Sequence, residues 1–414
     1  MLKRIFTGLL LLSFSCTFAQ TTQPKPDILN GIKLSGYFQF QYQKASKPAI
    51  SSFDGGDFAD NSDSRFMLRR GRLKLERTDK WTNLVVSIDA TQDGVSLRDA
   101  FIELKEPLLN SFTLTAGQMN KPFGYAIGLS SSQREIPERP RVVQTVLPGE
   151  RDLGVMLTLN PANYKFITLD AGFYNGSGLN VRDYDNRKDF ISNLTIKLNN
   201  DSLHHFKIGF GASYYHGYVR QNTATVYYKS TENGVNGFTA ITDPQHIGSY
   251  AKREYTGFNL QLEDKGSMGR TALKAEYIQG KQPGIAASAT VRGPQATKSF
   301  SSQPASDIYN RKFKGYYIWF IKQIPQTPFE VIANYDVYDP NTDLKGSNIG
   351  IAGNNTTAAD IQYHTFGAGL ICYVTKQVKL TAYYDHPVNE KTQLAGFEND
   401  IKDDVFTLRA QYRF

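Results

Sequence analysis

The sequence predicts an all-β chain, a transmembrane antiparallel β-barrel of about sixteen strands, and three observations lead there. Segments of about ten to fourteen residues alternate apolar and polar at period two, the mark of strands with one greasy and one wet face. Short turns alternate with long loops between those segments. After the first twenty residues, no stretch has the roughly 20 mostly apolar residues that a membrane-spanning helix needs, which agrees with 40% hydrophobic residues and a mean hydropathy of −0.41. A helical membrane protein is thereby excluded. With 24 Tyr and 26 Phe against 2 Trp and 5 Met, the composition favours pleated, half-buried surfaces and membrane interfaces. No Pro/Gly/Ser-rich linker divides the 414 residues, so one architecture is expected.

The N-terminus reads as an export signal. Lys3 and Arg4 are followed by an apolar stretch over residues 5–14, and Thr17-Phe18-Ala19 forms a small-residue cleavage site before Gln20. The expected division is a signal peptide over 1–19, a short N-terminal segment over 20–31 and a barrel over 32–414. Ser13-Phe14-Ser15 ahead of Cys16 makes a poor lipoprotein signal. Removing residues 1–19 takes away Lys3 and Arg4 and no acid, so a net charge of +8 becomes +6. Only Cys372 then remains. It excludes an intrachain disulfide and reads as a small apolar wall residue.

Strands are expected at 32–45, 65–78, 81–91, 96–106, 111–119, 152–160, 166–175, 188–198, 203–218, 250–263, 270–281, 311–323, 327–338, 361–375, 378–386 and 404–414. Turns such as Thr78-Asp79-Lys80 are short, whereas the connections at 46–64, 120–151, 176–187, 219–249, 282–310, 339–360 and 387–403 are long; Gln92 to Val95 is the one short connection in the outer set. Short periplasmic turns, long extracellular loops and an even strand count are the pattern of an outer-membrane barrel. The last segment is the clearest, with Phe406, Leu408, Ala410, Tyr412 and Phe414 on one face and Val405, Thr407, Arg409, Gln411 and Arg413 on the other. By the same rule Phe313, Gly315, Tyr317, Trp319 and Ile321 form one face opposite Lys312, Lys314, Tyr316, Ile318 and Phe320. Tyr37, Tyr42, Phe66, Tyr174, Tyr214, Tyr317, Tyr384 and Tyr412 are expected in the interfacial girdles.

A barrel of about sixteen strands is wide enough for an aqueous channel. On the second strand Arg70, Arg72 and Lys74 share a face, opposite Gly71, Leu73 and Leu75, and would line the pore as a column of cations able to attract anions. The alternative is a solvated wall balanced by Asp89, Asp99, Glu103 and Glu276. Further lumen cations are expected at Lys207, Lys274, Lys312, Lys314, Lys379, Arg409 and Arg413, with Lys105 and Lys322 nearer the rim. The third outer loop, 120–151, carries Lys121, Arg134, Arg139, Arg141 and Arg151 against Glu135, Glu138 and Glu150, and four prolines stiffen it. It suits an inward-folded constriction; a surface loop with locally paired charges is the other reading.

Five stretches resemble the phosphate-selective porin O/P family. They are Arg69-Arg70-Gly71-Arg72-Leu73-Lys74-Leu75, Ser96-Leu97-Arg98-Asp99-Ala100-Phe101-Ile102-Glu103-Leu104, Gly117-Gln118 with Lys121-Pro122-Phe123-Gly124, Pro148-Gly149-Glu150-Arg151-Asp152-Leu153-Gly154-Val155, and Phe173-Tyr174-Asn175-Gly176-Ser177-Gly178. The likeness is specific over residues 32–178 and diffuse beyond. It implies a sixteen-stranded outer-membrane porin, often trimeric and in some members selective for phosphate or polyphosphate. It also implies pore-lining or anion-binding roles for Arg70, Arg72, Lys74, Lys121 and Arg151. The family's full arginine ladder has no counterpart here, since later strands carry scattered Lys, which offers a point charge where Arg binds phosphate bidentately.

The function read from the sequence is passive diffusion of small solutes, biased to anions and including phosphate, through a net-basic lumen in the outer membrane of a Gram-negative bacterium. The alternatives are a general non-selective porin and a closed barrel acting as adhesin or scaffold. An outer-membrane hydrolase is disfavoured. No Ser/His/acid motif includes His204, His205, His216, His246, His364 or His386, and neither a metal-ligand spacing nor a phosphate-cradling glycine loop occurs, so no catalytic residue, metal or cofactor is expected. Expected partners are small anions, outer-membrane lipid, the barrel-assembly machinery through Phe414, and two further copies in a homotrimer. Nucleic acid is not among them, because the basic residues are spread around a wall.

Overall fold

Sixteen strands close into one antiparallel cylinder in the computed structural model, which describes residues 31–199, 205–290 and 306–414. The expected signal peptide and residues 20–30 of the N-terminal segment lie outside the described residues. The first nine wall strands are β1 (Ile32–Ala45), β2 (Ser64–Thr78), β3 (Thr82–Thr91), β4 (Gly94–Lys105), β5 (Phe112–Asn120), β6 (Arg151–Leu159), β7 (Ile167–Tyr174), β8 (Asp189–Leu198) and β9 (Phe206–Arg220). A hairpin, β10 (Thr225–Glu232) and β11 (Val235–Thr242), then interrupts the wall. The wall resumes with β12 (Tyr250–Asp264), β13 (Thr271–Gly284), β14 (Ile308–Gln323), β15 (Phe329–Asp339), β16 (Tyr363–Tyr373), β17 (Val378–Asn389) and β18 (Val405–Arg413). Every expected strand is present, most with ends displaced by one to three residues.

Closure joins β1 to β18 in register from Tyr37 opposite Arg413 to Ala45 opposite Val405. Gly36 and Phe414 exchange main-chain hydrogen bonds of 3.1 and 3.0 Å, which extend the seam beyond the β1–β18 register. A Cβ at position 36 would collide with the Arg72 carbonyl and the Phe414 ring, which explains glycine there. The Phe414 ring stacks on Phe38 at 6.2 Å. Among the described residues closure leaves no free edge between β1 and β18, while the upper part of β2, residues 64–71, extends above the short β3–β4 hairpin and pairs with β1 alone.

The outer wall is apolar where the alternation requires it: Phe406, Leu408 and Tyr412 are exposed on β18, while Val405, Thr407, Arg409 and Gln411 are buried inside. Strand β14 inverts the expectation. Phe313, Tyr317, Trp319 and Ile321 are almost fully buried and face the lumen, whereas Ile318 and Phe320 face out, and Lys312 and Lys314 stand on the outer surface instead of in the pore. The reason is packing. The short helix α1 (Arg141–Val146) of the third outer loop lies against β14, so this part of the lumen is a hydrophobic core. Of the expected girdle, Tyr37, Tyr174 and Tyr317 likewise point inward, each at most 5% exposed, while Phe66, Tyr214, Tyr384 and Tyr412 are exposed on the outer wall.

The hairpin β10–β11 falls inside the connection expected as loop 219–249. Its turn is Asn233-Gly234, both at positive φ (51° and 79°), the conformation that a two-residue hairpin favours. It leans on the wall through a short parallel pairing of Val226 and Tyr227 with Ile308 and Tyr309, where the Tyr227 and Tyr309 rings stack at 4.0 Å. With Phe238, Leu344, Ile349 and Ile361 it forms a second apolar cluster over the outer mouth.

Replacing Phe414 by Ala should leave the two main-chain bonds intact and remove about 1 kcal/mol of ring packing. The temperature at which the folded band converts to the unfolded band on a denaturing gel should fall by a few degrees at most; loss of all folded band would mean that closure depends on the ring.

Candidate functional site

The connection from β5 to β6 turns into the barrel and crosses it. Lys121-Pro122-Phe123-Gly124 starts the turn: Gly124 has φ +66°, and a Cβ there would overlap the Glu276 carboxylate of β13. That carboxylate is the first anchor. It accepts from the main-chain N–H groups of Tyr125 and Ala126, both at 3.2 Å, and from the Tyr317 hydroxyl at 2.7 Å. Phe123 packs over Gly257 and Val142 over Gly315, positions where the wall has no side chain to obstruct the loop. Ala126, Ile127, Val142, Val143 and Leu147 are at most 2% exposed.

Carboxylates on the loop make the other anchors. Glu135 binds Lys274 at 2.9 Å and Arg270 at 2.8 Å. Glu138 binds Arg69 and Arg70 of β2 at 2.9 and 2.7 Å and Arg409 of β18 at 2.7 Å. Burial alone would raise the Glu138 carboxyl, yet these guanidiniums hold it well below the ordinary carboxylate range. Both Arg69 and Arg70 reach it because the β1–β2 ladder skips a residue: Gln39 lies opposite Arg70 and Phe40 opposite Leu68. On the wall behind, Gln39, Gln41 and Gln43 form a buried column; Gln39 accepts from Arg70 at 3.1 Å and Gln41 from Arg409 at 2.8 Å.

The residues expected to serve anions are therefore mostly engaged with protein groups. Arg72 is 2.6 Å from Asp89, and Lys74 is 3.1 Å from Glu76. Arg151 is bound by Asp99 at 2.7 Å and by Glu150 at 2.9 Å. Lys121 is only 5% exposed, and burial lowers its ammonium below the usual range. Arg134, 1% exposed, donates to the carbonyls of Ile136 and Pro137 at 3.0 and 2.7 Å, and Lys379 donates to the Arg134 carbonyl at 2.9 Å. Arg139 reaches the Ala126 carbonyl and Glu150. Arg141 is sandwiched between the rings of Phe53 and Tyr363, at 4.4 and 3.7 Å. Arg69, the bulge, the glutamine column and the anchoring role of Glu276 were not anticipated; only the consecutive Arg69-Arg70 pair hinted at a break in alternation.

The loop leaves two unlike spaces. On the side of the chain termini a cavity of about 720 Å³ is lined by Lys33, Arg72, Lys74, Arg139, Arg151 and Arg413, with Asp99 and Glu103 the acids on its wall. On the outer side a narrow space of about 30 Å³ is bounded by Asp54, Glu138, Asp336, Asp385 and Asp403 with Arg139 and Arg141. Burial pushes the Asp403 carboxyl up to about 7, against the opposing charge of Arg141.

Two outcomes follow. Glu138→Gln leaves three buried or half-buried guanidiniums without their carboxylate and should cost about 3 kcal/mol, read as a lower urea midpoint and faster proteolysis within the loop; unchanged values would show that the apolar packing alone holds it. Because burial raises the Asp403 carboxyl to about 7, it gains a proton as the pH falls from 8 to 6, which should raise the anion-to-cation permeability ratio. Asp403→Asn should shrink that response, and an undiminished response in the variant would assign the effect to the other acids of this space.

The family model described as phosphate-selective porin O and P matches residues 49–414, well past the last of the motifs noted above. No curated protein matches. Among solved structures, OprB of Pseudomonas putida has a TM-score of 0.62 at 7% identity, covering 94% of this chain and 95% of that one. The anion-selective porin from Comamonas acidovorans has a TM-score of 0.54 at 12% identity and coverage of 92% and 99%, and the outer membrane channel DcaP of Acinetobacter baumannii 0.55 at 13% with 92% and 97%. At such identities the likeness is one of fold, and the family and fold are those of outer-membrane channels. With its sixteen-stranded closed barrel and a family match over almost its whole length, the chain belongs to the phosphate-selective porin O and P family.

Proposed function

We propose that this porin passes small anions, phosphate among them, by passive diffusion, with the inward-folded loop as its constriction. The cationic lining of the cavity on the terminus side carries the reading: six Lys and Arg side chains against two acids. Most of these cations already have a carboxylate neighbour. That pairing suits conduction, since two charges 4 Å apart at an effective dielectric of 20 attract by about 4 kcal/mol, and a fully unopposed array would hold an anion too firmly to release it. An entering anion competes with Asp89 for Arg72 and with Asp99 for Arg151, so each site is attractive and shallow. The same ion pairs favour a second reading, a general porin with weak charge preference.

Reconstituted in a planar bilayer under a tenfold salt gradient, the protein should give a reversal potential on the anion side, and millimolar phosphate should reduce chloride current. Replacing Arg72 and Lys74, which line that cavity, together by Gln should shift the reversal potential toward zero. A cation-side potential would refute the proposal, and a variant indistinguishable from wild type would assign those residues to the solvated wall.

A further inference from the structure

The lysines displaced from the expected lumen face stand together on the outer wall. On β14 the outward residues run Lys312, Lys314, Tyr316, Ile318, Phe320 and Lys322, from charge through an aromatic to aliphatic and back to charge. Ten residues separate Lys312 from Lys322; at about 3.3 Å per residue and a tilt of about 40° they span roughly 25 Å, the height of an outer-membrane apolar band. Lys312 therefore sits at the outer headgroup level. Neighbouring strands repeat the order: Lys281 lies directly opposite Lys312, Gln279 opposite Lys314, and Tyr277 opposite Tyr316.

A cross-strand Lys–Lys pair repels, and the local acids do not cancel it. Lys281 lies opposite Glu254 on β12 but, among the described residues, makes no ion pair within 4 Å. Lys312 and Lys314, 57% and 47% exposed, approach Asp343 and Asp339 only at 3.7 Å. Asp343 is engaged more closely by Lys229 of the hairpin, at 2.8 Å, and Glu254 by Lys252, also at 2.8 Å. Five lysines thus face three carboxylates. Two adjoining cavities, of about 460 and 550 Å³, open outward here, and Lys281 and Lys312 line both.

We infer that this face of β12–β14 is a binding site for a phosphorylated lipid of the outer leaflet, with its phosphates at Lys281, Lys312 and Lys314 and its acyl chains along Ile318 and Phe320. The aromatic step at Tyr277 and Tyr316 separates the two regions, as interfacial rings do. Two cavities sharing one lysine pair fit a lipid with more than one phosphate. A soluble anion would gain the charge but leave the apolar lower half of the site unused.

The test is equilibrium binding of labelled lipopolysaccharide to the full-length, detergent-purified porin, with dephosphorylated lipopolysaccharide and inorganic phosphate as competitors. Wild type should prefer the phosphorylated form by about tenfold, and Lys281→Gln with Lys312→Gln should remove most of that preference. Conductance and reversal potential should not change, because neither side chain faces the lumen. Lys281→Arg with Lys312→Arg should restore binding, which separates charge loss from misfolding. Equal affinity for the dephosphorylated lipid, full binding by the Gln variant, or displacement by millimolar inorganic phosphate would each overturn the inference.

Discussion

Hydrocarbon offers no partner to a peptide N–H or C=O, and the architecture of this porin follows from that constraint. A closed antiparallel sheet satisfies main-chain groups within the wall, and closure here includes Phe414, which pairs with Gly36. Once the wall is fixed, side chains at period two must serve lipid outside and whatever occupies the lumen inside. Long connections can exist only where water is, beyond the membrane or within the barrel.

One occupant of this lumen is protein. The third outer loop supplies an apolar strip, Ile127, Val142, Val143 and Leu147, and the wall answers with Tyr317, Trp319 and Ile321. Carboxylates then fix its position: Glu276 reaches from the wall to the loop backbone, while Glu135 and Glu138 reach from the loop to wall cations. Such buried charge clusters add little net stability, since desolvation offsets much of the attraction. Their contribution is placement, because each carboxylate fits only where its guanidinium or ammonium partners converge. The same clusters divide the interior into a basic space toward the termini and an acidic one toward the outer mouth.

Strands were legible in the sequence because period two survives noise. Even β14 was placed correctly, although its faces were not: Phe313, Tyr317 and Trp319 look like lipid-facing residues to any rule that equates apolar with outside, and they face a helix from a loop some 170 residues earlier. Hydrophobicity alone does not distinguish hydrocarbon from a protein core. The hairpin 225–242 carried its signal openly in Asn233-Gly234, but its strands lie outside the wall and broke the count of one strand per connection. At the site, the residue types Arg70, Arg72 and Arg151 were visible, whereas their partners were not. The link from Glu138 to Arg409 spans 271 positions and exists only after closure, and Arg69 joins it only through a bulge.

A lumen divided by a clamped loop gives a specific expectation for current. The loop bridges the lumen from β13 and β14 to β2 and β18, and in the proposed function conduction is limited by what it leaves open. Single-channel conductance of a variant with residues 126–147 replaced by a short Gly/Ser connection measures this most directly. A conductance several times that of wild type, together with a weaker charge preference, is the result a loop-limited pore requires. Unchanged conductance with the barrel intact would place the current path away from the loop and contradict its role as the constriction.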